Sequence, residues 1–484
     1  MKMKNLPTSD RRQFLERLGA ASVALAWNSV WSGRLAVAAE PPKPGAADWP
    51  RFAYDLHNTR FNTREKTLGP ENVGRLKLKW SHEIGAPMHS AAVVIGDTLF
   101  IGAWDGHYYA LETRTGERKW KVDAGVKPEP PFNLRRIQST AQYDNGKIYF
   151  GTGNAELNCV DATTGKQIWK TKLDSYPGAN ISFSPTFYKD RVFVGTTADN
   201  AQIACLDADT GAIRWRFYIN PPERSDGGGG LWTSADIDEE HGIVYNVTGH
   251  PRSIAPPGPL LYTESILAND LETGELLWHY QVRTMDLWDL DFSCHPMIFD
   301  AVSPGKRGAS RHCVGAGNKT GFFTMDRYSG ELLWRVMLTN WSTQGGPEWD
   351  STAVAYNKVY VISNAINEER DLDTGRSTGL SESVTAALHA YTGEIVWWRH
   401  NKSMNKSPVC VANGVFYQSL TDGSLEAYDA ETGKQLWKSM LPSSSHGGIV
   451  IANGELYTSN SEAFSPPPEV NKKYSVYVYS IDGK

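Results

Sequence analysis

One short phrase recurs seven times along this chain of 484 residues. Each copy starts with a small residue, usually has an acid two positions later, continues with Thr-Gly or Ser-Gly, and ends with a Trp. The small residue and the Trp of the seven copies are Ala110 and Trp120, Cys159 and Trp169, Cys205 and Trp215, Ala268 and Trp278, Thr324 and Trp334, Ala387 and Trp397, and Ala427 and Trp437. These tryptophans follow one another at intervals of 40 to 63 residues. A period of that length with a Trp signature indicates a radial array of small β-sheets.

Each phrase predicts two β-strands joined by a tight turn. The acid can bond the backbone a few residues further on, and the Gly tolerates the positive φ that such a turn requires. Ahead of the phrase, hairpin signals such as Gly96-Asp97 and Asn145-Gly146 separate two further short runs of apolar residues. Four strands per repeat is the composition of a propeller blade.

The two ends of the chain predict the number of blades. Residues 76–80 have the pattern of the last strand of a blade, whereas residues 449–451, 456–457 and 474–479 supply three strands without a final Trp strand. Together they complete an eighth blade, and closing the ring removes the open sheet edges. We therefore predict an all-β fold, an eight-bladed β-propeller of four-stranded blades over residues 76–484. A lead-in segment, residues 39–75, precedes it.

The first 38 residues have the order of an export signal. A pair of arginines, Arg11 and Arg12, precedes an apolar stretch at 18–27 and an A-x-A cleavage pattern at 36–38. This order predicts a twin-arginine signal peptide, residues 1–38, that directs the mature protein to the periplasm. No second apolar run is long enough to span a bilayer. The net charge is −5, and the sequence contains no basic stripe, which argues against a nucleic-acid partner.

The Trp phrase resembles the tryptophan-docking motif of the pyrroloquinoline quinone-dependent (quinoprotein) alcohol dehydrogenases. Their eight-bladed propellers hold pyrroloquinoline quinone (PQQ) and a metal ion on the axis, and the likeness runs from about Trp49 to the C-terminus. The resemblance implies a dehydrogenase that oxidises an alcohol by hydride transfer to PQQ. It also implies a separate, soluble cytochrome c as the electron acceptor, because this sequence contains no C-x-x-C-H haem motif.

The catalytic expectation depends on the sequence L-W-D-L-D at 287–291. It resembles the W-D-Y-D segment of the family, so Asp289 is expected to be the general base and a metal neighbour. The second acid, Asp291, is typical of the lanthanide-using branch. Alcohol oxidation needs a base near the hydroxyl proton and a positive centre near the acceptor. The alternative is that the two acids only cap a turn.

Four other residues are expected to contact the cofactor. Lys319, in G-N-K-T-G, matches the family's cation at the quinone oxygens, and Trp232, in G-G-L-W, matches the Trp that stacks beneath the cofactor. Ser182 lies where the family has a hydroxyl contact, and Arg136 is the nearest substitute for a family Arg. We expect Trp232, Asp289 and Lys319 at the starts of three successive blades, facing the axis.

The metal implied by the resemblance is calcium or a lanthanide, with an altered ligand set. Asn200 stands at the position of the family's ligand Glu, and His250 at that of its ligand Asn, beside Asp289 and Asp291. Such hard ions prefer oxygen ligands, and imidazole is a poor one. The family's adjacent-cysteine pair is also absent, because the corresponding region, 131–136, contains no Cys.

These departures leave two other functions open. One is a non-catalytic propeller that serves as a scaffold or binding protein, because some relatives with the same Trp phrase are not enzymes. The other is a histidine-ligated transition-metal enzyme. His89, His250, His295 and His446 are expected near the starts of inner strands on four different blades. If they converge on the axis, they could bind copper or zinc.

Overall fold

A computed structural model describes most of the chain from residue 41 onwards. The described residues are 41–127, 136–198, 200–220, 227–251, 260–286, 289–305, 308–339, 352–366, 381–461 and 473–484. The predicted signal peptide, residues 1–38, lies outside them, as do residues 131–135 and the predicted Leu287-Trp288 pair. No helix within the described ranges has the length and apolarity needed to cross a bilayer.

The described residues contain 33 β-strands and one 3₁₀ helix, Val73–Arg75. The strands form eight sheets, which we number as blades along the chain. Blades 1 to 4 consist of Val93–Ile95, Thr98–Gly102, His107–Glu112 and Arg118–Asp123; Gln142–Asp144, Lys147–Gly151, Glu156–Asp161 and Gln167–Lys172; Thr186–Tyr188, Arg191–Gly195, Gln202–Asp207 and Ile213–Tyr218; and Asp236–Asp238, Ile243–Val247, Ser265–Asp270 and Leu276–Gln281. Blades 5 to 8 consist of Met297–Val302, Ser310–Asn318, Gly321–Asp326 and Leu332–Val336; Ala353–Ala355, Lys358–Ile366, Ser381–His389 and Ile395–Asn401; Cys410–Ala412, Val415–Ser419, Ser424–Asp429 and Gln435–Met440; and Val450–Ala452, Glu455–Ser459, Ser475–Ile481 and Leu76–Glu83.

The predicted eight-bladed propeller is confirmed, including the blade shared by both ends. Leu76–Glu83 pairs antiparallel with Ser475–Ile481, from Leu76 opposite Ile481 to Glu83 opposite Ser475. The first strands of neighbouring blades contact one another, for example Asp236–Asp238 and Met297–Val302, and therefore surround the axis. One short extra strand, Phe61–Asn62, adds to blade 7 in parallel.

The recurring phrase builds the contact between neighbouring blades. Within blade 2, Cys159 pairs with Trp169, and a bulge in the register follows. The indole then packs on Gly211 of blade 3, where a Cβ would lie 2.6 Å from Trp169 Cε3. The Gly has a φ of +72°. The same indole donates its Nε1–H to the carbonyl oxygen of Ala208 at 3.0 Å. One contact between blades thus uses the small residue and the Trp of one phrase and the Gly of the next phrase.

This indole hydrogen bond is repeated all around the ring. Each Trp donates to a backbone carbonyl oxygen of the next blade at 2.8 to 3.2 Å. The pairs are Trp80 and Thr113, Trp120 and Ala162, Trp169 and Ala208, Trp215 and Leu271, Trp278 and Arg327, Trp334 and Ala390, Trp397 and Ala430, and Trp437 and Leu76. The last pair joins blade 7 to the shared blade 8.

Part of the lead-in segment, residues 49–62, crosses the hub and contacts all eight blades in order. Its hydrogen-bonded partners lie in, or directly before, the first strands. The pairs are Trp49 and Val94, Pro50 and Tyr143, Arg51 and Thr186, Leu56 and Ile237, Asn58 and Pro296, Thr59 and Val354, Arg60 and Val411, and Asn62 and Ile451. Burial lowers the pKa of Arg51 and of Arg60 to about 10. The segment therefore forms a floor across the axis.

Candidate active site

A cavity of about 340 Å³ lies on the axis. Phe52 of the lead-in segment lines it, as do Trp232, His250 and Asp289 from blades 4 and 5. Lys406 and the imidazoles of His89 and His446 line it from blades 7, 8 and 1, and Ser182 lies between these two groups. The volume falls within the range of about 300 to 1000 Å³ that is usual for small-molecule sites.

Two acids and one histidine that line this cavity form its charged centre together with a buried lysine, Lys319, which does not line it. Lys319 Nζ lies 2.9 Å from Asp289 Oδ1 and 3.4 Å from Asp291 Oδ2. His250 Nδ1 lies 2.6 Å from Asp291 Oδ1 and 3.3 Å from Asp289 Oδ1. The side chains of Lys319 and Asp291 are only 2% and 5% exposed, whereas that of Asp289 is 46% exposed. Both acids line the cavity, and Asp289 is the more accessible of the two.

Two connections of blade 5 bring these side chains together. Asp289 and Asp291 precede its first strand, and Asp289 has a φ of +60°. Lys319 lies in the tight turn between the second and third strands, and its N–H donates to Asp291 O at 3.2 Å. The expectation that Lys319 starts a separate blade is therefore wrong. The residues still meet, because an antiparallel second strand returns to the end at which the first strand began.

The cluster separates the proton affinities of its two acids. Burial, together with the hydrogen bond and charge of Asp291, raises the pKa of Asp289 to about 7, although Lys319 opposes the rise. Burial alone would raise the pKa of Asp291, but hydrogen bonds from His250 and Asp289 and the charge of Lys319 hold it well below its ordinary value. Burial opposes the charged imidazole of His250, yet the nearby acids raise its pKa. Asp289 is consequently the carboxyl group that exchanges a proton near neutral pH.

Two glycines allow Trp232 to approach the charged centre. A Cβ on Gly249 would lie 2.3 Å from Trp232 Cη2 and 2.8 Å from Asp291 Oδ1, and a Cβ on Gly230 would lie 2.8 Å from Trp232 Cζ3. Contacts below 3.0 Å are not tolerated, so larger residues would displace the indole. Trp232 remains partly exposed and lines the cavity.

Of the other residues expected to bind the cofactor or the metal, only Ser182 lines the cavity. Ser182 lines the cavity, and its hydroxyl donates to Asn180 Oδ1 at 2.8 Å. Arg136 does not line the cavity; its guanidinium lies over the ring of Trp104 at 5.0 Å. Asn200 forms a backbone bridge with Gly228 and also lies outside the cavity lining. Only part of the expected set is therefore brought together.

The expected convergence of four histidines is wrong. The imidazoles of His89 and His446 stack at 4.5 Å, but His295 is buried away from the cavity and bonds Asn58 O at 2.8 Å. His250 lies in a loop between the second and third strands of blade 4, not before an inner strand. Among the described residues, the one group of three His, Cys, Asp or Glu side chains within metal-binding reach is His250, Asp289 and Asp291, with ligand atoms within 4.8 Å of one another.

Comparison with known protein families shows the family to which this chain belongs. The PQQ family profile, described as "Glucose/ethanol/alcohol dehydrogenase, beta-propeller domain", matches residues 49–348. The chain belongs to the PQQ family. A second profile, "Outer membrane protein assembly factor BamB", matches residues 323–464. The two profiles overlap over residues 323–348, which contain the last two strands of blade 5.

Individual PQQ-family relatives are similar at low identity. A polyvinylalcohol dehydrogenase from a Pseudomonas species is 26% identical over 364 residues, which cover 66% of this chain and 56% of that protein. A quinohemoprotein alcohol dehydrogenase from Comamonas testosteroni is 26% identical over 327 residues, 59% of this chain and 46% of that protein. The chain thus spans about half the length of these curated relatives.

Solved structures at low sequence identity support the fold alone. A europium-containing methanol dehydrogenase superposes with a TM-score of 0.76 at 20% identity. The superposition covers 90% of this chain and 98% of that one. At this identity the likeness concerns the propeller and not the chemistry.

The residues of the cavity fit the family's quinone better than they fit its metal. A planar ring system can stack on the indole of Trp232, and Ser182 offers a polar partner in the same cavity, whereas Lys319 does not line it. Calcium and lanthanides take six to eight oxygen ligands. Here only Asp289 and Asp291 supply carboxylate oxygens, and both already bind Lys319 and His250. The donor set does not fit such an ion.

Proposed function

We propose that this protein is a dehydrogenase that oxidises an alcohol with PQQ as the hydride acceptor. The observation that carries the proposal is the exposed carboxyl group of Asp289, with its pKa near 7, in the same cavity as the indole of Trp232. Family membership supports the choice of cofactor.

In this mechanism Asp289 takes the proton of the alcohol hydroxyl group. A base is most effective when its pKa lies near the working pH, because it is then both ionised and basic enough to accept the proton. The elevated pKa of Asp289 satisfies that requirement. When bound, PQQ supplies an electrophilic carbonyl carbon that accepts the hydride.

The neighbours of Asp289 position it and supply positive charge. Lys319 Nζ lies 2.9 Å from its carboxylate, which orients Oδ1 and holds an ammonium group behind it, buried and outside the cavity lining. A buried cation stabilises negative charge that develops nearby. Asp291 remains ionised and holds both Lys319 and His250. Lys319 therefore provides the electrostatic contribution that the altered metal site does not.

We extend the proposal to the location and the electron acceptor. The order of Arg11, Arg12 and the apolar stretch supports a signal peptide at residues 1–38 and a periplasmic location, with residues 39–75 and 76–484 as the mature protein. A separate soluble cytochrome c is the proposed acceptor. Replacing both arginines by lysine in a fusion to a folded reporter should abolish its export, and undiminished export would contradict this part.

Reconstitution tests the activity directly. Purified protein is mixed with PQQ alone, with PQQ and calcium, and with PQQ and lanthanum, and the reduction of a redox dye by primary alcohols is followed. We expect turnover with PQQ alone and loss of at least a hundredfold in Asp289→Asn. Absence of PQQ binding under all three conditions would refute the proposal. It would instead favour a binding or scaffold role, for which the match of residues 323–464 to the BamB profile is the supporting observation.

A further inference from the structure

A second pair of acids, Glu264 and Asp286, lies near the charged centre and is buried. Both residues are fully buried, and neither lines the cavity. Glu264 Oε2 lies 3.4 Å from Arg283 Nη1, and Asp286 Oδ2 accepts a hydrogen bond from the N–H of Leu290 at 2.6 Å. Sequence analysis missed this pair because the two residues lie on different connections. The only signal was an acid three positions before Asp289.

The carboxyl group of Asp286 lies close enough to that of Glu264 for a hydrogen bond between them. Within the described residues no N–H or O–H group donates to Glu264 Oε1. Two ionised carboxylates in contact would repel, whereas a proton on one of them allows a hydrogen bond between them. Burial and the charges of Asp291 and Asp286 raise the pKa of Glu264 to about 9, with Arg283 opposing, which is consistent with a proton on Glu264.

The pair joins the two loops that carry His250 and Asp289. The N–H of Glu264 donates to Gly249 O at 2.9 Å, directly before His250, and Glu264 O accepts from the N–H of Val282 at 2.9 Å. Asp286 binds the N–H of Leu290, directly after Asp289. Asp289 has a φ of +60°, which is unfavourable for a residue other than Gly and persists only where the surroundings impose it.

We infer that Glu264 is a positioning residue whose carboxyl group, hydrogen-bonded to Asp286, fixes the backbone that presents Asp289 to the cavity. Asp286 transmits the effect through its bond to Leu290. The inference concerns the conformation of the loop, and only its kinetic consequence rests on the proposed function. A Gln at position 264 keeps the volume and one donor, whereas a Leu keeps the volume and loses the donor.

The first test measures amide hydrogen exchange at Leu290 in the cofactor-free protein. Glu264→Gln should exchange within about twofold of wild type, and Glu264→Leu should exchange at least about tenfold faster, because the acceptor Asp286 loses its own support. Glu426→Gln is the matched control, since Glu426 is a buried acid of blade 7 that bonds Gln418 and Tyr428. Equal exchange in the Leu and Gln variants would overturn the inference.

The second test follows turnover after loading with PQQ. Glu264→Leu should lower kcat by about ten- to a hundredfold while the affinity for PQQ stays within about twofold, and Glu264→Gln should restore kcat. A loss in affinity without a loss in kcat would contradict a positioning role. If no variant, wild type included, turns over, the proposed function fails and the exchange result still decides the inference. Should the Leu variant not fold, Glu264→Asp replaces it, with the same expected order of exchange rates.

Discussion

Removing the ammonium group of Lys319 should destabilise the protein strongly. Lys319→Met keeps most of the volume but leaves Asp289 and Asp291 without their shared cation. Breaking a buried ion pair in this way costs about 3–5 kcal/mol. Because Asp289 is 46% exposed and His250 still binds Asp291, we expect the lower end of that range, about 3 kcal/mol. Urea denaturation followed by Trp fluorescence measures the loss.

The loss of free energy of unfolding caused by Lys319→Met should also increase with pH. When folding raises the pKa of a carboxyl group, the free energy of unfolding falls as the pH increases from the pKa of the unfolded state, about 3.9, to the pKa of the folded state. In wild type that decline ends near pH 7, because the pKa of Asp289 is about 7. Without Lys319 the pKa rises further and the decline continues. Each extra unit costs about 1.4 kcal/mol before screening, or about 0.7 kcal/mol for a half-exposed group.

A control and a double variant make this prediction refutable. Lys358 also bonds an acid, Glu431, at 2.7 Å, but that acid is 71% exposed. Lys358→Met should therefore cost less than about 1 kcal/mol and show no such pH dependence. Adding Asp289→Asn to Lys319→Met should remove the pH-dependent part. A loss in Lys319→Met that is equal at pH 6 and pH 8, or no greater than that of the control, would refute the reasoning.

Three further predictions concern the base, the cofactor surface and the blade contacts. The kcat/KM of the reconstituted protein should fall about tenfold per pH unit below pH 7, where Asp289 becomes protonated, and a flat profile down to pH 5 would exclude Asp289 as the base. Gly249→Ala should weaken PQQ binding in a fluorescence titration without changing the fold, because its Cβ would collide with Trp232. Trp169→Phe should lower the free energy of unfolding by about 1–2 kcal/mol, because the indole hydrogen bond is lost. Gly211→Ala should lower it more, because the new Cβ clashes with Trp169 and the residue has a positive φ. Melting temperatures equal to that of wild type would contradict both expectations.

The fold was predictable because its information is local and repeated. Each phrase supplies a Trp to one blade contact and a Gly to the next, so every copy carries the same residues and the pattern appears in the sequence without knowledge of distant partners. The shared eighth blade followed from two incomplete patterns at the ends. The lead-in segment has no repeat, and its contacts with eight separate blades could not be inferred from composition or period.

The site was predictable only where a family motif covered it. Asp289, Asp291, Lys319 and Trp232 were singled out by local sequence context, and the structure brings them together. Their blade assignment was partly wrong, because sequence spacing does not reveal that a turn within one blade returns to the same end. Glu264 was missed because nothing local marks an acid as fully buried.

The hub floor has a consequence for how the chain reaches its final state. Asn62 bonds Ile451, 389 positions further along, so the lead-in segment meets this partner only after residue 451 has been synthesised. Contacts over such separations form slowly. The ring of blades closes only when blade 8 forms from both ends of the propeller. Before that step, a molecule that binds on the axis has a wider path to its site than after it.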